Sequence, residues 1–263
     1  VNGRRFFSLE ETRRWDKEIE RKIQNLISKT YGFNPSLPEI EKRLPDKKPG
    51  HLTREEYEKA CRQQAEAVRT ALTHGLSVII GPAGTGKTTV VKAIIDLLEK
   101  YNPNSGILLV APTGKAAVRM REATGREAQT IHRFLVSRNA FNFDFFRLKP
   151  SEKPAIYDMA IIDEASMVDT ELLWALLGSI EPKRLVFIGD TGQLPPVEAG
   201  KPFHDLIQYL KDKTPHLVAE LTYRLRPFPN CEQWLFGGTE WRTKLLEVVD
   251  RDKLNRDEAQ IIT

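Results

Sequence analysis

Leu76-Ser-Val-Ile-Ile-Gly81-Pro-Ala-Gly-Thr-Gly-Lys-Thr-Thr89 reads as an apolar strand running into a glycine-rich loop, and Val90 opens an amphipathic stretch behind it. The loop satisfies G-x-x-x-x-G-K-[ST], a pattern that demands a strand before it and a helix after it. Both flanks are present. Glycines let the backbone take conformations closed to other residues, so that consecutive N–H groups can turn inward on phosphate oxygens. The helix N-terminus behind the loop adds partial positive charge. The cradle is therefore expected to comprise Gly81, Pro82, Ala83, Gly84, Thr85, Gly86, Lys87, Thr88 and Thr89. Lys87 is expected to reach the β- and γ-phosphates of a nucleoside triphosphate, and the Thr88 hydroxyl to coordinate Mg²⁺. A glycine turn that binds nothing would leave the intact flanks without a reason.

Outward from the cradle, short apolar runs recur at Ile107–Ala111, Met159–Ile162, Leu185–Ile188 and, more weakly, Leu217–Leu221, with helical or loop sequence between them. Continuous apolar strands alternating with helices predict an α/β fold, a parallel sheet with helices on both faces. In such sheets ligands bind at the carboxyl ends of the strands. Polar motifs stand at those ends here: Pro112, Thr113, Gly114 and Lys115 after one run, Asp163-Glu164 after the next, and Gly189-Asp-Thr-Gly-Gln-Leu-Pro-Pro196 after the third. Adjacent carboxylates permit a division of labour in which Asp163 holds Mg²⁺ while Glu164 orients and deprotonates an attacking water. Gln193 is expected near the γ-phosphate, with Pro195 and Pro196 stiffening its loop, although a plain Gly-Pro turn fits the same composition.

A chain of 263 residues, 40% hydrophobic and 29% charged, suits one large α/β domain or two small ones. No run approaches the ~18 apolar residues of a membrane span, and the start lacks the apolar core of a signal peptide, so no membrane partner is expected. Val1 is not a methionine, and Ala259-Gln-Ile-Ile-Thr263 looks like the first strand of a further domain, so an excised piece of a longer protein is expected. Forty basic against 36 acidic residues leave a net charge of +4, which permits nucleic-acid binding without demanding it. Two cysteines, Cys61 and Cys231, make neither a disulfide framework nor a metal-ligand spacing, which points to a reducing cytoplasm.

Residues 8–29 read as a charged amphipathic helix opened by a Ser8–Glu11 capping box. Pro35, Pro38, Pro45 and Pro49 then mark a linker. A second helix runs from a Thr53–Glu56 capping box to Thr73, where His74-Gly75 ends it. It carries Gln64, whose amide offers a donor and an acceptor suited to an adenine edge; taken alone, a surface glutamine is the simpler reading. Between 137 and 157, aromatics at 141, 143 and 145 alternate with strand period and predict an inserted β-hairpin. Its aromatics are as compatible with stacking on bases as with packing against the domain. The expected organisation is an N-terminal helix and linker over 1–50, a nucleotide-binding domain over 51–227, and a connector over 228–263.

Pro112-Thr-Gly-Lys-Ala-Ala117, Thr130-Ile-His-Arg-Phe134, Ile162-Asp-Glu-Ala-Ser-Met167, Gly189-Asp-x-x-Gln-Leu-Pro-Pro-Val197 and Leu221-Thr222 with Arg226 resemble, in order, the motifs of superfamily 1 helicases of the RecD-like branch. The resemblance runs from about Gln64 to Arg226. It implies a RecA-like P-loop NTPase domain that couples ATP hydrolysis to 5′→3′ movement on single-stranded DNA. It further implies that Gln64 contacts adenine, that Gln193 senses the γ-phosphate, and that Arg226 stabilises charge developing on it. Pro112, Thr113, Gly114, Lys115, Thr130 and His132 would contact DNA, and the inserted hairpin would act as a strand-separating pin. Thr113, Lys115 and Thr130 also carry the hydroxyl and ammonium donors that sequence-independent phosphate contacts need. Pro227 stands where the family usually has a glutamine.

The partners implied are single-stranded DNA, a second RecA-like domain of the same parent chain, and repair or replication proteins, in a cytoplasmic, nucleoid-associated setting. Two alternatives remain open: a conjugative relaxase-type helicase motor, and a nucleotide-dependent DNA-binding module without turnover of its own. A small-molecule kinase built on the same loop would have no use for the Gly189–Pro196 stretch.

Overall fold

The apolar runs become strands of a computed structural model that describes residues 10–33, 35–44, 48–142, 147–193, 196, 198 and 200–226. The strands are β1 (Leu76–Ile80), β2 (Ile107–Ala111), β3 (Gln129–Thr130), β4 (Phe141–Asn142), β5 (Arg147–Leu148), β6 (Ala155–Ile162), β7 (Ile180–Gly189) and β8 (Val218–Glu220). The helices are α1 (Glu10–Ile27), α2 (Leu37–Glu41), α3 (Arg54–Thr73), α4 (Lys87–Tyr101), α5 (Gly114–Thr124), α6 (Ile131–Ser137), α7 (Thr170–Ser179) and α8 (Pro202–Lys213). Six strands form one sheet in the order β3-β2-β6-β7-β1-β8, and every neighbouring pair in it is parallel. β4 and β5 pair antiparallel as the inserted hairpin; residues 143–146, with most of its aromatics, lie outside the described residues. The chain divides after Leu225 into a larger and a smaller unit, and only Arg226 of the smaller one is described.

Two-residue periodicity within the strands decides which face each side chain takes. Leu76, Val78 and Ile80 of β1 join Leu108, Val110, Ala160, Ile162, Leu185 and Phe187 in one core, covered by residues of α1, α6, α7 and α8. Ile79 joins Leu109, Met159, Ile161, Val186 and Ile188 in the other, covered by α2, α3 and α4, with Met120 of α5. The helix layers expected on both faces are thus present. α3 begins with the capping box read from the sequence: the Glu56 amide donates to Thr53 Oγ1 at 3.2 Å and the Thr53 amide to Glu56 Oε2 at 2.8 Å. The Ser8–Glu11 pair lies outside the described residues.

α1 packs on α7. Trp15 stacks on Trp174 with ring centroids 5.3 Å apart, and the Trp174 indole donates to Glu18 Oε2 at 2.6 Å. Ile23 and Leu26 of α1 enter the core of the sheet domain, so the helix preceding the proline-rich stretch belongs to the same compact unit as the sheet.

β6 and β7 are longer than the apolar runs that mark them. They pair from Ala155↔Ile180 to Ile162↔Phe187, while β1 and β2 start only at Leu76 and Ile107. Ile180 at the start of β7 is buried, but Ile156 is 75% exposed and Glu181 is exposed, so the apolar pattern is interrupted there. An apolar-run criterion therefore sees only their inner halves.

Gly189 closes β7 where the ring of Phe203, the buried anchor of α8, lies against it. A Cβ at Gly189 would stand 2.6 Å from two carbons of that ring. Gly189→Ala is accordingly expected to destabilise the domain by about 1–3 kcal/mol, the cost of overpacking a close-packed core, read as a lower denaturant midpoint at unchanged slope.

Candidate active site

Because the six sheet strands are parallel, their carboxyl ends meet along one edge. Register keeps those ends level: Ile80 pairs with Gly189 and with Glu220, Val110 with Ile162, and Ala111 with Thr130. Backbone bonds continue just past the strands, from Gly81 N to Gly189 O (3.2 Å), Asp163 N to Val110 O (3.0 Å) and Leu221 N to Ile80 O (2.8 Å). The cradle, the Pro112 loop, Thr130, the carboxylate pair, the Gly189 loop and the Leu221 segment are therefore all brought to one edge.

The cradle is built as its glycines require. Gly84 and Gly86 have φ of 86° and 89°, and Gly86 is the N-cap of α4. A Cβ on Gly86 would lie 2.1 Å from Gln64 Nε2. Gln64 is not the surface residue that its position in an amphipathic helix suggested; it is 1% exposed, and its Nε2 donates to Thr85 O at 3.0 Å. Its Oε1 is buried and has no hydrogen-bond partner among the described residues. The Thr85 hydroxyl donates to Pro82 O at 2.9 Å, closing the loop on itself.

Lys87 bends back to donate to Gly81 O at 2.5 Å and Pro82 O at 3.1 Å. Burial pushes its ammonium below the ordinary lysine range, and Asp190, Asp163 and Glu164 oppose that shift. Charged, partly desolvated and, among the described residues, bonded to carbonyl dipoles alone, it fits an anionic ligand such as a triphosphate. Pro82 is half-buried, while Ala83 and, in the first turn of α4, Thr88 are exposed; Thr89 is half-buried.

Asp163 and Glu164 follow β6 directly. Burial, and to a lesser degree the neighbouring Glu164 charge, push the Asp163 carboxyl above its usual range, while the Glu164 amide (2.9 Å to Oδ1), Lys87 and Arg119 pull it down. A buried carboxylate with too little positive charge around it suits a divalent cation. Among the described residues no group of three or more His, Cys, Asp or Glu could hold a metal alone. Mg²⁺ at a triphosphate needs none, because one or two protein oxygens, phosphates and waters complete its octahedron.

Glu164 is left-handed, with φ 51° and ψ 38°. Such a conformation costs a non-glycine residue about 1–3 kcal/mol and concentrates at functional sites. The Thr113 hydroxyl donates to Glu164 Oε2 at 3.1 Å. Ser166, fully buried, donates from Oγ to Gln193 Oε1 at 3.3 Å, so the exposed Gln193 is tied to the segment that carries Asp163 and Glu164. Pro195 lies outside the described residues. Arg226 is exposed and belongs to the smaller unit.

β2 and β3 are neighbours, which sets two helix N-termini side by side at the same edge. Thr113 caps α5 by accepting from Ala116 N at 3.2 Å, and Thr130 caps α6 by accepting from Arg133 N at 3.1 Å. Gly114, Lys115, His132 and Arg133 are exposed there, and Pro112 is half-buried. Exposed cations beside helix N-termini make a surface suited to phosphates.

Reading the sequence assigned no role to Ser166 or Asp190 and no partner to Gln63. Ser166 and Asp190 stand within motifs already singled out; Ser166 could have been found by asking which polar residues those short stretches bury, and Asp190 by its place directly after β7. Gln63 could not: it donates from Nε2 to Thr222 Oγ1 at 3.0 Å and accepts from Thr222 N at 3.0 Å, a pairing of residues 159 apart in the chain.

A family model described as AAA domain matches residues 64–199. An uncharacterized protein of Methanocaldococcus jannaschii is 39% identical over 238 residues, covering 84% of this chain and 20% of that protein. The ATP-dependent RecD2 DNA helicase of Deinococcus radiodurans is 44% identical over 147 residues, covering 56% of this chain and 20% of its own length. The RecD subunit of the RecBCD enzyme of Haemophilus influenzae is 32% identical over 243 residues, covering 81% of this chain and 37% of the subunit. The chain thus spans between a fifth and about two fifths of these relatives. The likeness to RecD-type proteins agrees with the motif order.

Proposed function

The chain belongs to the AAA domain family, and from that premise we propose that it is the ATP-hydrolysing motor domain of a RecD-like DNA helicase, moving 5′→3′ on single-stranded DNA. The observation that carries this reading is the contact between the two halves of the edge: Thr113, at the mouth of the phosphate-suited surface, touches Glu164 beside the cradle.

In this mechanism the loop amides and Lys87 hold the triphosphate. Thr88 and Asp163 would hold Mg²⁺, which when bound neutralises charge on the β- and γ-phosphates. Glu164 accepts the proton of the attacking water while the buried wall behind it keeps other water out. Gln193 registers the γ-phosphate and passes its presence through Ser166. Gln64 fixes the loop from below through its bond to Thr85 O, and its buried Oε1 would accept from the adenine amino group only once the loop shifts to uncover it. Arg226 stabilises charge on the transferring phosphoryl. Pro112, Thr113, Gly114, Lys115, Thr130 and His132 hold the DNA backbone. The opposite wall of the nucleotide cleft is a second RecA-like domain of the same parent chain, and the setting is repair, replication or recombination at the nucleoid in the cytoplasm. No helix of the described residues is long and apolar enough to cross a membrane.

The deciding experiment measures ATP turnover of the parent chain with and without oligo-dT. Stimulation by the oligonucleotide, with unwinding of a duplex carrying a 5′ but not a 3′ tail, is expected. ATP binding without turnover under both conditions would instead identify a nucleotide-dependent DNA-binding module.

A further inference from the structure

We propose that Gln63 is a positioning residue for ATP hydrolysis: it pins residues 221–225, the lead into Arg226, to the helix that also carries Gln64. The inference rests on the helicase reading above and on the role that reading gives Arg226. β8 is an edge strand of three residues, and its pairing with β1 ends one bond later, from Leu221 N to Ile80 O at 2.8 Å. Past Leu221 the segment has left the sheet. Thr222 is exposed, and Tyr223, Arg224 and Leu225 are only half-buried, so the core does not fix their course.

Gln63 grips Thr222 twice. Its Nε2 donates to Thr222 Oγ1 at 3.0 Å, and its Oε1 accepts from the Thr222 amide at 3.0 Å. Further along, His51 Nε2 donates to Arg224 O at 2.9 Å, and the Leu225 amide donates to Gly84 O of the cradle at 2.8 Å. Successive residues of an α-helix point about 100° apart, so Gln63 and Gln64 leave α3 in different directions. Gln64 reaches Thr85 in the cradle and Gln63 reaches Thr222. With the bond from Leu225 to Gly84, helix, cradle and segment close a ring.

The helix is the rigid member of that ring, because Ala65, Ala67 and Val68 beside the two glutamines are buried in the core. Arg226 follows the segment directly, its Cα about 3.8 Å from that of Leu225 across one peptide bond. The course of residues 221–225 therefore sets where that guanidinium starts from. A misplacement of about 1 Å at a reacting group can cost roughly a hundredfold in rate. Gln63 thus acts on the reaction without touching the nucleotide.

The test uses the full parent chain and reads ATP turnover at saturating ATP with and without oligo-dT, the affinity for a fluorescent ATP analogue, and the thermal midpoint. Gln63→Met keeps the length and helix propensity of the side chain and loses both bonds. Gln63→Glu keeps both, since one carboxylate oxygen can accept from the Thr222 amide and the other from its hydroxyl. Thr222→Val removes one bond from the opposite side and carries the test should Gln63→Met fail to fold. Each variant is also made in an Arg226→Ala background.

Gln63→Met is expected to lower stimulated turnover about tenfold and Thr222→Val about threefold, with nucleotide affinity within about twofold of wild type. Glutamate should restore wild-type turnover. In the Arg226→Ala background neither loss should appear, because effects that act through one group do not add. A merely structural role would cost the same factor in both backgrounds and lower the thermal midpoint. Equal losses in the two backgrounds, no rescue by glutamate, or unchanged turnover in Gln63→Met and Thr222→Val overturns this inference and leaves the helicase reading standing. Stimulated turnover that Arg226→Ala does not change overturns it together with the role given to Arg226. A wild-type chain that oligo-dT does not stimulate overturns both the inference and the helicase reading.

Discussion

Lys87→Ala is expected to lower DNA-stimulated ATP turnover of the parent chain by at least about a hundredfold, the cost of removing one preorganised donor from developing phosphoryl charge. The structure gives the reason for so large an effect. Lys87 is the charged residue of the cradle, it is held by the carbonyls of Gly81 and Pro82, and burial already depresses its pKa. A triphosphate entering the loop therefore meets a cation with little water to lose and, among the described residues, no competing carboxylate bonded to it. Alanine at the first position of α4 does not harm the helix, since alanine has the best helix propensity. An unchanged thermal midpoint should accompany the lost activity. Turnover within a factor of two of wild type would remove the cradle from the mechanism.

Glu164→Gln should reduce turnover by about 10²–10⁴-fold, the range for a general base, while nucleotide affinity stays near wild type. Glutamine preserves length, and its carbonyl oxygen can still accept from Thr113, so the left-handed backbone and the local bond survive. What is lost is the capacity to take a proton. The discriminating quantity is the split between binding and turnover. Equal loss of both would mean that Glu164 serves to build the pocket, and a mild loss of turnover alone would place the base elsewhere on the edge. The two substitutions act on different steps, so nucleotide affinity separates them: weakened for Lys87→Ala and kept for Glu164→Gln.

How much of this could be read beforehand depends on the range of the interactions involved. Strand positions, the capping box of α3 and the loop-to-helix transition at Lys87 are set by neighbours in sequence, and the apolar runs at 76–80 and 107–111 became strands with those bounds. β3 was not foreseen, because Gln129-Thr130 is polar and owes its strand geometry to pairing with Val110 and Ala111 alone. The outer halves of β6 and β7 escaped because Asp158 and the Glu181-Pro-Lys-Arg184 run break the apolar pattern while the two strands satisfy each other's backbone. In the site, Lys87, Asp163 and Glu164 stand in recognisable strings, whereas the burial of Gln64 depends on its approach to a loop about twenty residues away. The Thr113–Glu164 contact joins residues 51 apart and follows from the adjacency of β2 and β6. Sequence distance hides what strand order makes immediate.

That strand order has an electrical consequence as well. Both proposed ligands, a nucleoside triphosphate and single-stranded DNA, are polyanions, and placed side by side on one protein edge they would repel each other. Between β1, which carries the cradle, and β2, which carries the Pro112 loop, the sheet interposes β7 and β6. Three strand steps of about 4.8 Å set the two loops roughly 14 Å apart, beyond the Debye length of about 8 Å at physiological ionic strength. Each polyanion would thus lie largely outside the other's ion atmosphere. A chain with β1 next to β2 would carry the same loops and lose that insulation.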